Sequence, residues 1–199
     1  MSFDTMNVGL AIVALVADGL VAVIAVGFLA THLSAAGRAT WGRWRQQFTP
    51  ALVPLAWIVG TFCTCASLFL QFGEQLEPCD LCWFQRICMY PQALVLGIAA
   101  LTGDRYMVRR YMIPLASIGS VISVVHIDLP RLMQWFGVTT VPGCSLTAPC
   151  TAQPITEFGF VTIPYMALSG FLLIIMLLLA VRDDESAEGG DDLQGEVVQ

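Results

Sequence analysis

Apolar residues in this chain fall in long runs, and windows of about twenty of them mark five candidate membrane spans. They cover approximately 8–30, 51–72, 87–101, 111–126 and 160–181. The third and fourth are short and rely on tilt or flanking anchors to cross a bilayer. The first run is too long for a signal-peptide core, and its leader carries Asp4 but no Lys or Arg. It is therefore expected to remain as a helix. Between the spans lie breaks at 31–50, 73–86, 102–110 and 127–159. In the last, Leu129, Leu132, Met133, Trp135 and Phe136 are spaced to form one apolar face of a short helix lying on the membrane surface. An irregular loop with apolar contacts accommodates the same residues equally well.

Composition agrees with lipid as the main solvent. Hydrophobic residues make up 57% of the 199 and charged residues 12%, about half the charge of an ordinary soluble domain. The pattern predicts an all-α integral membrane protein. Charge then sets an expected orientation. Arg38, Arg43, Arg45, Arg105, Arg109, Arg110 and Arg182 all fall on one side if five spans alternate, and that side is cytoplasmic by the positive-inside rule. The N-terminus and the 73–86 and 127–159 loops then face outward, and the C-terminus is cytoplasmic. Trp41 and Trp44 flank the basic loop as interface anchors. The net charge of -6 is dominated by the end of the chain, where Asp183, Asp184, Glu185, Glu188, Asp191, Asp192 and Glu196 sit among glycines. Such a segment is expected to be a solvated, disordered tail. It points to no partner, and nothing in the composition points to nucleic acid.

This orientation sorts the seven cysteines. Cys63, Cys65 and Cys88 lie within spans and read as small apolar packing residues. Cys79 and Cys82 share the first outward loop, and Cys144 and Cys150 the second, on the face where disulfides persist. The first pair stands in Glu77-Pro78-Cys79-Asp80-Leu81-Cys82-Trp83-Phe84-Gln85-Arg86. Pro78 suits the first turn of a helix, and free amides at a helix start favour a thiolate. Arg86, one turn after Cys82, would stabilise a Cys82 thiolate or an anionic reduced cofactor; alternatively it is a snorkelling anchor. A Cys-x-x-Cys ring closes too small a loop to be a strong staple, which favours redox work. Cys144 and Cys150 bracket a turn-rich segment and form either an exchangeable or a structural disulfide. Both pairs together could supply four thiolates to zinc, but the loose Cys-x5-Cys spacing and the oxidising side argue against that, so no metal is expected. His126 meets the outer surface at the depth of Arg86, either as an interface residue or as a donor to a cofactor head group.

Together these residues resemble the DsbB family of disulfide-bond formation proteins, specifically its BdbC-like branch. The resemblance rests on Cys79 to Arg86, on Cys144 and Cys150, and on Phe158-Gly159-Phe160-Val161-Thr162-Ile163-Pro164 leading into the last span. His126 stands where the family has a histidine at its quinone pocket. Related quinone reductases of the VKOR type carry the Cys-x-x-Cys after the loop pair, the opposite order. The resemblance implies a four-helix transmembrane bundle over 51–181, with an additional N-terminal transmembrane helix and basic loop in 1–50 and the acidic tail in 182–199. It further implies a plasma-membrane thiol oxidase that re-oxidises an extracytoplasmic thioredoxin-like (DsbA/BdbD-like) partner. By similarity Cys144 takes the mixed disulfide, Cys79 and Cys82 receive the electrons, and Cys82 donates to ubiquinone or menaquinone, held by Arg86 and His126. The close spacing of the second pair argues against a large rearrangement of its loop. A non-catalytic membrane scaffold with structural disulfides, or a Cys-ligated zinc site, is the alternative.

Overall fold

The computed structural model describes residues 3–104, 108–137, 150–151 and 154–181. Five of its helices are long and apolar enough to cross a membrane: α1 (Phe3–Leu33), α2 (Ala35–Phe72), α3 (Asp80–Thr102), α4 (Ile113–Phe136) and α5 (Ile163–Ala180). A π-helical turn, Val108–Met112, leads directly into α4. With the family assignment given below, this is a multi-pass helical membrane protein.

All five expected spans are present, but several helices outrun their apolar windows. The basic segment expected as a loop is helical, so α1 and α2 are joined through Ser34 alone. Ser34 caps α2, its Oγ accepting from the Gly37 amide at 2.9 Å, which satisfies one of the helix's unpaired donors. Alanine and arginine suit helix as well as loop, and neither Pro50 nor Pro54 ends α2. The segment read as a surface helix or loop after His126 is instead the continuation of α4, which passes Pro130 and stops at left-handed Gly137. A hairpin not foreseen from the sequence, Thr156–Glu157 with Val161–Thr162, precedes α5. It turns at Phe158 and Gly159, both with positive φ, the backbone sense that two-strand turns favour.

The core lies between α2, α3, α4 and α5, around Leu52, Ala56, Leu96, Phe171, Ile174 and Leu178. Gly119 on α4 admits the Phe171 ring where a Cβ would collide with it. By contrast α1 is peripheral. It packs on α5 and α2 through Ala11, Ala14, Ala17 and Ile24, leaving Ile12, Val16, Val23 and Val26 exposed toward lipid. A polar contact also ties it to α5: the Tyr165 hydroxyl donates to Asp18 at 2.8 Å. Such a contact satisfies a carboxylate that lipid could not solvate. At one end of the bundle, Arg45 donates to the carbonyls of Ala180 and Val181, both at 2.8 Å. Those carbonyls belong to the end of α5, where a cation is favoured. The acidic tail expected in 182–199 lies outside the described residues.

Candidate active site

The first cysteine pair opens α3. Cys79 is the N-cap residue, with Pro78 just before the cap and not inside the first turn as expected. Its Sγ accepts from the Cys82 amide at 3.4 Å and lies 3.0 Å from the Cys82 Sγ, within hydrogen-bond reach between the two thiols. Another donor comes from α4: His126 Nε2 lies 3.7 Å from Cys79 Sγ and 3.1 Å from the Cys150 carbonyl. Both neighbours of Nε2 are acceptors, so that nitrogen carries the hydrogen. Nδ1 is buried without a partner. Because α4 continues to Phe136, His126 is 4% exposed and not a residue at a span end.

These contacts hold the Cys79 thiol well below the usual thiol range. The hydrogen bond with the Cys82 side chain is the largest cause; burial opposes it, and His126 adds to the lowering. The sequence suggested Cys82, nearer Arg86, as the thiolate. In this geometry the Cys82 amide and His126 both approach Cys79, which lies just outside the span. Iodoacetamide should therefore label Cys79 before Cys82 in the reduced protein. Its labelling rate should stay nearly level as pH falls through roughly 8 to 6, where an ordinary thiol loses about tenfold per unit. Cys82→Ala should restore the ordinary fall, as peptide mass spectrometry would read. A wild-type rate that already falls tenfold per unit would refute the assignment.

Arg86 is 9% exposed, so it does not snorkel. It turns in between α2 and α3, donating to Gln71 Oε1 and, at 3.2 Å, to the Ser67 carbonyl, with its guanidinium 5.3 Å from the Trp83 ring centre. Among the described residues no carboxylate lies against it. Cys150 is disulfide-bonded and buried with Cys79 and Leu129 in one small cluster. Cys144 lies outside the described residues. Cys79, Cys82, Arg86 and His126 all border a single cavity of about 800 Å³.

Residues 49–181 match the family described as disulfide bond formation protein DsbB. The chain belongs to the DsbB family. It is 38% identical to disulfide bond formation protein C of Bacillus subtilis (strain 168) over 131 residues, covering 66% of this chain and 92% of the relative. A probable disulfide formation protein C of Bacillus cereus (strain ATCC 14579) is 42% identical over 133 residues, 67% of this chain and 91% of its own. A probable disulfide formation protein of Metapseudomonas resinovorans is 37% identical over 134 residues, 66% and 89%. These relatives bear out the BdbC-like branch read from the motifs. No solved structure matches the chain. Membership gives this DsbB-family protein a role in membrane disulfide-bond formation.

Within the family's matched region the site also uses residues that the motifs did not single out. Gln71 and Ser67 hold Arg86, and Gln85 borders the cavity while its amide donates to Ser123 at 3.0 Å. The available signal was their polarity inside or beside apolar windows, which lipid penalises unless a partner exists. Cys63 borders the cavity beside Gly170, Cys88 packs in the core and Cys65 is exposed. The sulfur atoms of Cys79 and Cys82 and a His126 nitrogen lie within 4.8 Å of one another, a set able to hold a metal ion. It differs from the four-thiolate zinc site considered from the sequence, to which a disulfide-bonded Cys150 offers no thiolate.

Proposed function

We propose that this DsbB-family protein oxidises a thioredoxin-like (DsbA/BdbD-like) thiol protein outside the plasma membrane and passes the electrons through two cysteine pairs to a lipid quinone. The observation that carries it is the convergence of Cys79, Cys82, Arg86 and His126 on one apolar-walled cavity, with Cys150 buried beside Cys79. The N-terminus and both cysteine pairs face outward and the C-terminus inward. That orientation is supported by the arginine bias and by Arg45 lying with the end of α5.

Electrons enter at the second pair. A thiolate of the reduced partner attacks the Cys144–Cys150 disulfide at Cys144; the partner's second thiol then displaces Cys144, leaving the partner oxidised and Cys144 and Cys150 as thiols. These reduce Cys79–Cys82 in the same two displacements, through a mixed disulfide. Cys79 is the sulfur positioned for that exchange, because it shares a buried cluster with Cys150.

The cavity residues fit a quinone. Among the described residues Arg86 is a buried cation with no carboxylate against it, and His126 Nδ1 is a buried polar atom without a partner. Arg86 suits the oxygens of a ring that becomes more negative on reduction, and Nδ1, bare when Nε2 carries the hydrogen, can accept from a hydroxyl of the reduced ring. When bound, the quinone supplies a two-electron, two-proton acceptor for the Cys79 and Cys82 dithiol, whose S–S bond closes as it is oxidised. Arg86 orients the head group and offsets its charge, and His126 holds or moves a proton at Nδ1. Partners of this kind are strong oxidants, near -120 mV in a well-known case, so the acceptor must lie still higher.

The test is quinone reduction in detergent driven by a reduced thioredoxin-like oxidant, followed optically, with zinc content measured on the same sample. Quinol formation matched to oxidation of the partner is expected. No reduction of either quinone, disulfides that resist the partner, and stoichiometric zinc would instead favour the scaffold reading.

A further inference from the structure

The acceptor cavity has a wall that the matched family region does not supply. Residues 49–181 carry the redox side chains, yet Leu10, Val13, Ala14, Ala17 and Leu20 of α1 border the same cavity. Their spacing places them on one face of the helix, and every one is apolar. On that face Ala14 and Ala17 pack against the bundle, while Val13 and Leu20 remain 46% and 50% exposed. The helix is nevertheless held in a fixed register. The Asp18–Tyr165 hydrogen bond pins it to α5, and Gly27 lets the Trp41 ring lie where a Cβ would collide. A cavity of about 800 Å³ stands toward the upper end of the roughly 300–1,000 Å³ of small-molecule sites, more than a ring-sized head group requires.

We propose that α1 forms the lipid-side wall of this cavity and carries the hydrocarbon tail of the quinone, so that it sets preference for tailed over tailless acceptors. This rests on the quinone acceptor proposed above. Head group and tail divide the cavity by chemistry: Arg86, His126 and the thiols offer polar atoms, whereas α1 offers only hydrocarbon. Transfer of alkyl groups from one apolar surround to another gains little by burial; a shaped wall instead provides close packing and a restricted path for the chain.

Two readouts test this on the full-length protein. A ubiquinone analogue with a diazirine in its tail should label the 10–20 segment of α1 on irradiation, as mapped by peptide mass spectrometry. In parallel, Val13→Trp and Leu20→Trp, at positions exposed enough to accept bulk without disturbing the core, should narrow the tail path. Each should raise KM for a long-tailed ubiquinone roughly tenfold, about 1.4 kcal/mol of lost packing, and leave KM for the tailless ring within about twofold. Labels confined to α2–α5, or equal KM changes for both quinones, would overturn the role of α1 while wild-type turnover upheld the acceptor. Wild type that neither reduces nor is labelled by any quinone would overturn the acceptor, and the role of α1 with it.

Discussion

Cys82→Ser should stop turnover, with quinone reduction falling at least about a thousandfold, the scale seen when one member of a catalytic unit is removed. Closing a disulfide takes two sulfurs, and Cys79 alone has one. The lone Cys79 thiolate can still attack a neighbouring disulfide, and Cys150 shares its buried cluster. A mixed disulfide between Cys79 and a loop cysteine should therefore accumulate, visible by non-reducing peptide mapping. Serine nearly matches cysteine in size and retains a hydroxyl donor, so the fold should persist. Cys65→Ser, at a thiol exposed on the bundle surface, serves as the control and should retain nearly full activity. More than a tenth of wild-type rate in Cys82→Ser would be incompatible with the two-pair relay.

Arg86→Ala should act on the acceptor and spare the partner. Hydrogen bonds to a charged group contribute about 1.5–3 kcal/mol, so KM for quinone should rise by roughly ten- to a hundredfold. Exchange with the reduced partner, measured in a single turnover without quinone, should remain within about twofold. Arg86 also ties α3 to α2 through Gln71 and the Ser67 carbonyl, and a purely structural role predicts something different: a lower Tm with KM unchanged. Arg86→Lys separates the possibilities further. Lysine keeps the charge but lacks the planar fork that engages two acceptors, so it should recover only part of the affinity. An unchanged quinone KM in both variants would remove Arg86 from the acceptor site.

Much of this was legible in the chain because hydropathy reports what lipid must solvate. All five spans, and the placing of Cys79, Cys82 and Arg86 along the start of one helix, follow from residue type and spacing. Helix ends were less legible, because charged and small residues continue a helix as readily as they leave it. The arginine segment ahead of Pro50 therefore became part of α2, and the Leu129 to Phe136 stretch part of α4. The position of the thiolate was also hidden. It depends on His126 arriving beside Cys79 from another helix, which local spacing does not encode. Gln71 was missed for the same reason: its importance lies in the cation it meets, fifteen residues along.

The single residue between α1 and α2 has a mechanical consequence. With only Ser34 as the joint, the adjoining ends of α1 and α2 have no slack. A tilt of α2 at that end must carry α1 with it, as two rods on one short hinge move together, and so shifts the α1 face that borders the cavity.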